Sequence, residues 1–111
     1  MITLNRQYTK ECLLKYIDDV KRKYRFAQDG YEYHFDDEIQ PFLLEADALA
    51  SFIESLPTDR YFNDSTQLKL SKQITELAMA CHKKELKPRL YNEKIKFINM
   101  WFNYFINKEI I

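Results

Sequence analysis

Glycine and proline are scarce in this chain of 111 residues, which contains one glycine, Gly30, and three prolines, Pro41, Pro57 and Pro88. Glycine supplies the positive-φ backbone that tight turns and phosphate-binding loops need. A chain with one glycine has no double-glycine phosphate loop, nucleophile elbow or dinucleotide-binding fingerprint. The scarcity of both residue types therefore predicts long helices joined by a few connections, and it excludes much of the usual catalytic repertoire.

The sequence also lacks an excess of charge and a long apolar run. Lys and Arg together number 17, as do Asp and Glu, so the formal net charge is zero. A neutral chain has no general attraction to nucleic acid or to anionic lipid. The longest apolar run, 77–81, is far shorter than the ~20 residues of a membrane-spanning helix. The beginning of the chain has no apolar segment of the signal-peptide type. We therefore expect a cytoplasmic protein with no membrane association.

Cysteine is rare as well, since Cys12 and Cys81 are the two cysteines present. Their spacing matches no zinc or redox motif. A reducing compartment keeps such thiols free, and free cysteines are among the most buried residue types. We expect two buried thiols that form no disulfide.

Apolar residues recur with a helical period in four segments separated by the glycine and the prolines. We predict helices from about Asn5 to Gln28, from 36–38 to Pro57, from Asp64 to a C-terminal end that carries Lys83, Lys84 and Lys87, and from about Pro88 to Lys108; Pro88 either ends the third helix or opens the fourth. Their core faces are Leu13, Tyr16, Ile17, Val20, Tyr24 and Ala27; Phe35, Ile39, Phe42, Leu43, Ala46, Leu49, Ala50, Ile53 and Leu56; Leu70, Ile74, Leu77, Ala78 and Cys81; and Tyr91, Ile95, Ile98, Phe102 and Phe105. Together they predict a single all-α domain over residues 1–111, an antiparallel up-down four-helix bundle.

Two helix starts carry local signals. The second helix either begins near Glu38, with Pro41 in its first turn, or begins earlier and kinks at Pro41. The third helix has Asp64 in position to cap it and Gln67 three residues later, which is the spacing of a capping box.

The stretch 33–41, Tyr-His-Phe-Asp-Asp-Glu-Ile-Gln-Pro, resembles the aromatic-rich approach to an Ile/Val-x-Pro in the YppE-like family of small Firmicutes proteins. Residues 47–50 (Asp-Ala-Leu-Ala) and 82–84 (His-Lys-Lys) are also similar to that family. The resemblance spans roughly 33–101 at low identity, and the chain departs from the family pattern between Glu85 and Glu93. It implies a cytosolic all-α bundle from a low-GC Gram-positive bacterium, in a family of unknown function with no assigned reaction, cofactor or catalytic residue.

The up-down topology places the C-terminal ends of helices 1 and 3 at the same end of the bundle as the N-terminal ends of helices 2 and 4. That end collects Lys21, Arg22, Lys23, Arg25, Lys83, Lys84, Lys87 and Arg89 together with His34, Asp36, Asp37, Glu38 and His82. Cations at helix C-termini and acids at N-termini complement the helix dipoles, so a solvated end needs no ligand. The alternatives are a surface that binds a protein or nucleic acid, and a metal or catalytic site built from the two histidines and the acids.

Two observations weigh against a metal or catalytic site. No Glu is followed three residues later by His, as a di-iron bundle requires. Cys81 precedes His82 directly, and neighbouring helical side chains point about 100° apart, so we expect no effective pairing.

The run 21–25 interleaves cations with Tyr24, and we expect these cations to form the solvated face of the first helix.

A second apolar stripe runs along helix 4 and comprises Leu90, Phe97, Trp101 and Tyr104. It either lies in the core, with Tyr61 and Phe62 of the preceding loop folded over it, or forms an interface that includes a possible homodimer.

A complete core pattern without a catalytic motif predicts a non-enzymatic adaptor that binds another protein and needs no cofactor or metal. The candidate binding residues are His34, Asp36, Asp37, Glu38, His82, Lys83, Lys84 and Trp101. One alternative is an enzyme or metal-binding protein that uses His34, His82 and nearby acids. The other is nucleic-acid binding through the basic end.

Overall fold

The computed structural model describes residues 8–111, which form four α-helices. They are α1 (Lys10–Gln28), α2 (Gln40–Glu54), α3 (Asp64–Ala80) and α4 (Pro88–Asn107), and a π-helical turn, Phe35–Ile39, leads into α2. This part of the chain contains no strand, so the predicted all-α class is confirmed. Nor does any helix within residues 8–111 combine the length and apolar character needed to cross a membrane.

The core is a single cluster of apolar side chains from all four helices. α2 packs on α3, and α4 packs on both α3 and α1. Tyr16 joins α1 to the middle of α3, because its buried hydroxyl donates to the Ile74 carbonyl at 2.7 Å. The core faces predicted for α1, α3 and α4 are confirmed, with Tyr24 and Tyr91 half-buried and stacked at 3.8 Å between ring centroids.

The first helix begins later than predicted and ends where predicted. Residues 8 and 9 precede the helix, which starts at Lys10, so the predicted start near Asn5 is wrong; Asn5 itself lies outside the described residues. At the other end Gly30 adopts φ 103°. This conformation lets the Tyr31 N–H donate to the Phe26 carbonyl at 2.9 Å, a bond that closes the C-terminus of α1.

The π-helical turn decides between the two predicted starts of the second helix. The α-helix proper starts at Gln40 and has Pro41 in its first turn, as a missing N–H permits. Before it, the Ile39 N–H donates to the His34 carbonyl five residues back. This wider turn rotates Phe35 away from the core. Phe35 is exposed, so its place in the predicted core face is wrong.

The start of α3 is set by a different cap from the predicted one. Asn63 is the N-cap, and its side chain accepts from the Thr66 N–H at 2.9 Å, while Asp64 is the first helical residue. Gln67 makes no capping box. Its amide instead donates to the carbonyls of Ile53 and Leu56 at 2.9 and 2.8 Å, which ties the end of α2 to the start of α3.

The second stripe of α4 divides between core and surface. Phe62, from the connection between α2 and α3, is fully buried and packs on Trp101 and Phe105 with ring centroids 5.3 and 4.9 Å away. Trp101 is half-buried, as are Phe97 and Tyr104, whereas Leu90 is exposed. Tyr61 is also exposed, so only one of the two loop aromatics covers α4.

Candidate functional site

The residues that structure and chemistry single out form two neighbouring features. The first, which we call the amine box, consists of Lys23, Tyr33, Phe42, Cys81 and His82. The second is a groove between α1 and α2. Neither was identified as a site from the sequence, although His82 belongs to the predicted set.

Lys23 lies inside the protein, with 9% of its surface exposed. Its ammonium sits over the rings of Tyr33 and Phe42, 5.1 and 4.9 Å from their centroids. Within residues 8–111 no carboxylate oxygen lies within 4 Å of this nitrogen. Burial lowers the pKa of Lys23, and the charge of Arg22 lowers it further, against the weaker opposing influence of Cys81, Asp19 and Glu38. The prediction that the cations of 21–25 all face solvent is therefore wrong for Lys23, and it is confirmed for Lys21, Arg22 and Arg25.

His82 is the second buried polar group of the box, with 5% of its surface exposed. Its ring meets Tyr33 and Phe42 edge-on, at centroid distances of 4.9 and 5.7 Å. The buried Nε2 atom has no hydrogen-bond partner among the described residues. Burial, and next the charge of Lys23, lower the pKa of His82 to about 4. The ring is therefore neutral at pH 7.

Cys81 completes the box from the end of α3. Its Sγ lies 3.8 Å from His82 Nδ1, so the expectation that these neighbours cannot pair is wrong. Cys81 keeps helical backbone angles as the C-cap of α3, and the tighter turn that follows has the His82 N–H donating to the Met79 carbonyl at 3.3 Å. Burial raises the pKa of Cys81 to about 12, which keeps the thiol protonated. A protonated buried thiol is a poor nucleophile.

The acids nearest to the box are bonded to other groups. Asp19, one turn before Lys23, binds Lys15 at 2.7 Å and Arg22 at 2.9 Å. These bonds outweigh burial and lower the pKa of Asp19. Glu38 accepts from the His34 N–H at 2.9 Å and from the Tyr31 hydroxyl, which lowers its pKa too. The positive charge of Lys23 therefore has no direct counter-charge.

A hydrophobic residue at position 23 should make the protein more stable. Lys23→Met keeps the aliphatic stem and removes an unpaired charge from a largely buried side chain, so we expect the free energy of unfolding to rise by about 1 kcal/mol at pH 7. Because the pKa of Lys23 is lowered by folding, its unfavourable contribution fades as the pH rises through that pKa, and the gain should narrow towards pH 10. Urea denaturation at the two pH values measures both effects. Lys21→Met, at an exposed site on α1, is the control; an equal gain there, or a loss at Lys23, contradicts this account.

The α1–α2 groove has a volume of about 430 Å³ and mainly apolar walls. Cys12, Lys15, Tyr16 and Asp19 line it from α1, and Phe42 and Leu44 are among the residues that line it from α2. Leu44 is unusually open for an apolar residue, with 63% of its surface exposed. Cys12 is exposed, so the prediction that both cysteines are buried is wrong for Cys12 and confirmed for Cys81; both are free. Phe42 belongs to the groove and to the box.

Charge is segregated along the chain beside this groove. Between Arg25 and Arg60 the sequence has no Lys or Arg, but it has the acids Asp29, Glu32, Asp36, Asp37, Glu38, Glu45, Asp47, Glu54 and Asp59. All the charged side chains of α2 and its π-helical turn are therefore acidic. The net charge of zero does not report this segregation of acidic and basic residues, but their positions in the sequence do.

The predicted site residues do not assemble into one cluster. His34, Asp36 and Asp37 are exposed on the approach to α2, and Glu38 is half-buried there. Lys83 and Lys84 are exposed after α3, whereas His82 is buried in the amine box. Trp101 lies against Phe62 and Tyr104, and its buried Nε1 has no partner among the described residues. Residues 8–111 hold no group of three or more His, Cys, Asp or Glu side chains able to bind a metal ion.

Comparisons of this chain with protein-family models, curated proteins and solved structures find no match. The similarity to the YppE-like family accordingly stays a prediction from the sequence.

Proposed function

We propose that the protein is a non-enzymatic interaction module, and that its α1–α2 groove binds a basic amphipathic segment of a partner protein. The observation that carries the proposal is an open apolar groove bordered by a helix whose charged residues are all acidic. An amphipathic segment places apolar side chains in such a groove and leaves its polar face outside. Lys and Arg on that face complement the acids of α2 and speed the encounter.

The scaffold that we propose for this module is an up-down antiparallel bundle in the cytoplasm. Contacts at its two ends support the arrangement. At one end the Gln67 side chain reaches the end of α2, and the Tyr104 hydroxyl donates to Asp59 at 2.6 Å. At the other end the Gln28 amide, in the last turn of α1, donates to the carbonyls of Lys84 and Leu86. The free thiols are consistent with a reducing compartment.

The chemistry of the amine box favours binding over catalysis by His82 and Cys81. A general base works best with a pKa near the operating pH, and a nucleophilic cysteine needs a lowered one. The pKa of His82, about 4, is far below neutral pH, and the pKa of Cys81 is raised to about 12, so neither group meets its requirement.

A synthetic peptide tests the groove directly. The probe is a fluorescent peptide of about 18 residues, with Leu at i, i+3, i+4 and i+7 and Lys elsewhere. We expect saturable binding by fluorescence anisotropy, and an increase in Kd of at least about tenfold for Leu44→Lys, which removes apolar contact and adds a like charge. Two reference peptides, one with the same residues in a non-periodic order and one with Glu in place of Lys, should bind more weakly.

Met100→Lys is the matched control, because Met100 is a half-exposed apolar residue of α4 outside the groove, with 53% exposed. It should leave the Kd unchanged. Equal weakening by both variants would reject the groove as the binding surface. Equal binding of all three peptides would reject the proposed partner chemistry.

A further inference from the structure

A second cavity lies on the other side of α2 from the groove, between α2 and α3. This α2–α3 cleft has a volume of about 460 Å³. Asp47 and Glu54 line it from α2, and Ser71 and Lys72 are among the residues that line it from α3. The groove and the cleft share no lining residue, so α2 is flanked by two separate cavities.

The outer surface of α2 belongs entirely to these two cavities between residues 44 and 54. Every exposed residue of α2 in that range lines one cavity or the other. Those on the groove side are Leu44, Glu45 and Ala48, and those on the cleft side are Asp47, Ser51 and Glu54. Ala48 and Ser51 are small, so the backbone of a second helix can approach α2 closely and extend its two flanks into both cavities.

The two acids of the cleft have no cation close to them. Glu54 accepts a hydrogen bond from the buried Ser71 hydroxyl, but no Lys or Arg nitrogen of residues 8–111 lies within 4 Å of Glu54 or Asp47. Lys72, the cation that lines the cleft, is therefore paired with neither acid. Asp47 and Glu54 are seven residues apart, which places them on the same side of α2, separated by two turns or about 10 Å.

The groove offers less to a cation than the cleft does. Of the acids that line the groove, Asp19 is bonded to Lys15 at 2.7 Å and to Arg22 at 2.9 Å. Glu45 is the other acid of the groove, and Lys15 lines the same cavity. A basic flank of a bound segment is therefore better placed in the cleft than in the groove.

We infer that the partner segment is a helix that lies along α2, with its apolar side chains in the groove and two cations in the α2–α3 cleft. This inference rests on the proposed function and deepens it, because it adds a second contact surface and a spacing of the charges. Two Lys or Arg residues seven apart recur after two helical turns, as Asp47 and Glu54 do. Each cation then faces one acid when the two helices run along each other.

A pair of peptides tests the inference by fluorescence anisotropy. The probe is a fluorescent helix of about 18 residues that keeps the Leu stripe of the groove probe, carries two Lys seven residues apart on one flank of that stripe, and has Ala or Gln elsewhere. The reference peptide has Gln in place of both Lys. A cation that reaches the cleft makes the response to cleft variants depend on which peptide is bound.

Asp47→Asn combined with Glu54→Gln removes both charges of the cleft and keeps the shapes of the side chains, and Gln still accepts from the Ser71 hydroxyl. We expect the Kd of the Lys peptide to rise about fivefold and that of the reference peptide to stay unchanged. Asp47→Asn alone, at an exposed position, should give about a twofold rise, so a folding defect at Glu54 leaves a decisive measurement. Lys72→Gln removes a like charge and should tighten binding of the Lys peptide alone.

Asp36→Asn combined with Asp37→Asn is the matched control, because it removes two exposed acids that line neither cavity. It should change the Kd of either peptide by less than about twofold. An equal loss in the control, or equal effects of the cleft variant on both peptides, would overturn the inference.

Leu44→Lys separates a failure of this inference from a failure of the proposed function. If Leu44→Lys weakens both peptides but the cleft variant weakens neither, the groove stands and the inference about the cleft is overturned. If neither peptide binds, or if Leu44→Lys has no effect, the groove itself is rejected, and the inference is rejected with it.

Discussion

Phe62→Ala should lower the free energy of unfolding by about 3–5 kcal/mol, although Phe62 lies in a connection between helices. Its side chain is fully buried and fills the space between Trp101 and Phe105. The truncation removes a large apolar surface from the core and leaves a cavity. Because a domain of this size is stable by only about 5–15 kcal/mol, the loss would remove a large part of its stability.

Urea denaturation followed by the fluorescence of Trp101, the single tryptophan, measures this loss. Phe62→Leu keeps much of the volume and should lose only about 1 kcal/mol, which leaves a folded variant to measure. Tyr61→Ala is the matched control, since Tyr61 is the adjacent aromatic residue and is exposed; we expect a change within about 0.5 kcal/mol. A loss below about 1 kcal/mol for Phe62→Ala would contradict its place in the core.

Acid should destabilise the protein through His82. The unfolded chain binds a proton at His82 with a pKa near 6.5, whereas the folded protein does so only at about 4. Between these values the unfolded state holds more protons, so the free energy of unfolding falls as the pH falls through this window. The contribution of His82 is fully present above pH 6.5, and we expect about 3 kcal/mol of it to be lost by pH 4.

Chemical denaturation at pH 7 and at intermediate values down to pH 4 checks this dependence. Carboxylates titrate in the lower part of the range, so the informative quantity is the difference between variants. His82→Phe should flatten the curve between pH 6.5 and 5, while His34→Phe, at an exposed position, should retain the wild-type slope. Identical slopes in wild type and His82→Phe would show that His82 is not the group that responds.

Much of the fold could be predicted from the sequence because its helix boundaries and its core face are local signals. Gly30 ends α1 through a positive φ that other residues rarely adopt, and Pro88 opens α4 where no N–H is needed. The errors arise where tertiary structure competes with the local pattern. The π-helical turn moved Phe35 out of the core, and Gln67 bonded to α2 in place of its own helix end.

The candidate site was harder to predict, because it depends on which side chains face each other. Lys23 lies three residues after Val20 and four before Ala27, so its spacing already placed it on the buried stripe of α1. Its charge, however, led to the prediction that Lys23 lies on the solvated face of α1. The pairing of Lys23 with Tyr33, Phe42 and His82 joins three parts of the chain and has no local signature. The absence of basic residues between Arg25 and Arg60 was the readable signal for the acidic side of the groove.

The most direct test of the interaction module uses Cys12, the exposed thiol of the α1–α2 groove. The rate at which iodoacetamide alkylates Cys12 is measured by intact-mass spectrometry with and without the basic amphipathic peptide at saturation; buried Cys81 should stay unmodified in the folded protein. The account predicts that the peptide slows alkylation at least about tenfold, because its apolar face covers the thiol. If the peptide binds saturably but the rate of Cys12 alkylation stays unchanged, the peptide binds elsewhere, and this result would contradict the proposed groove.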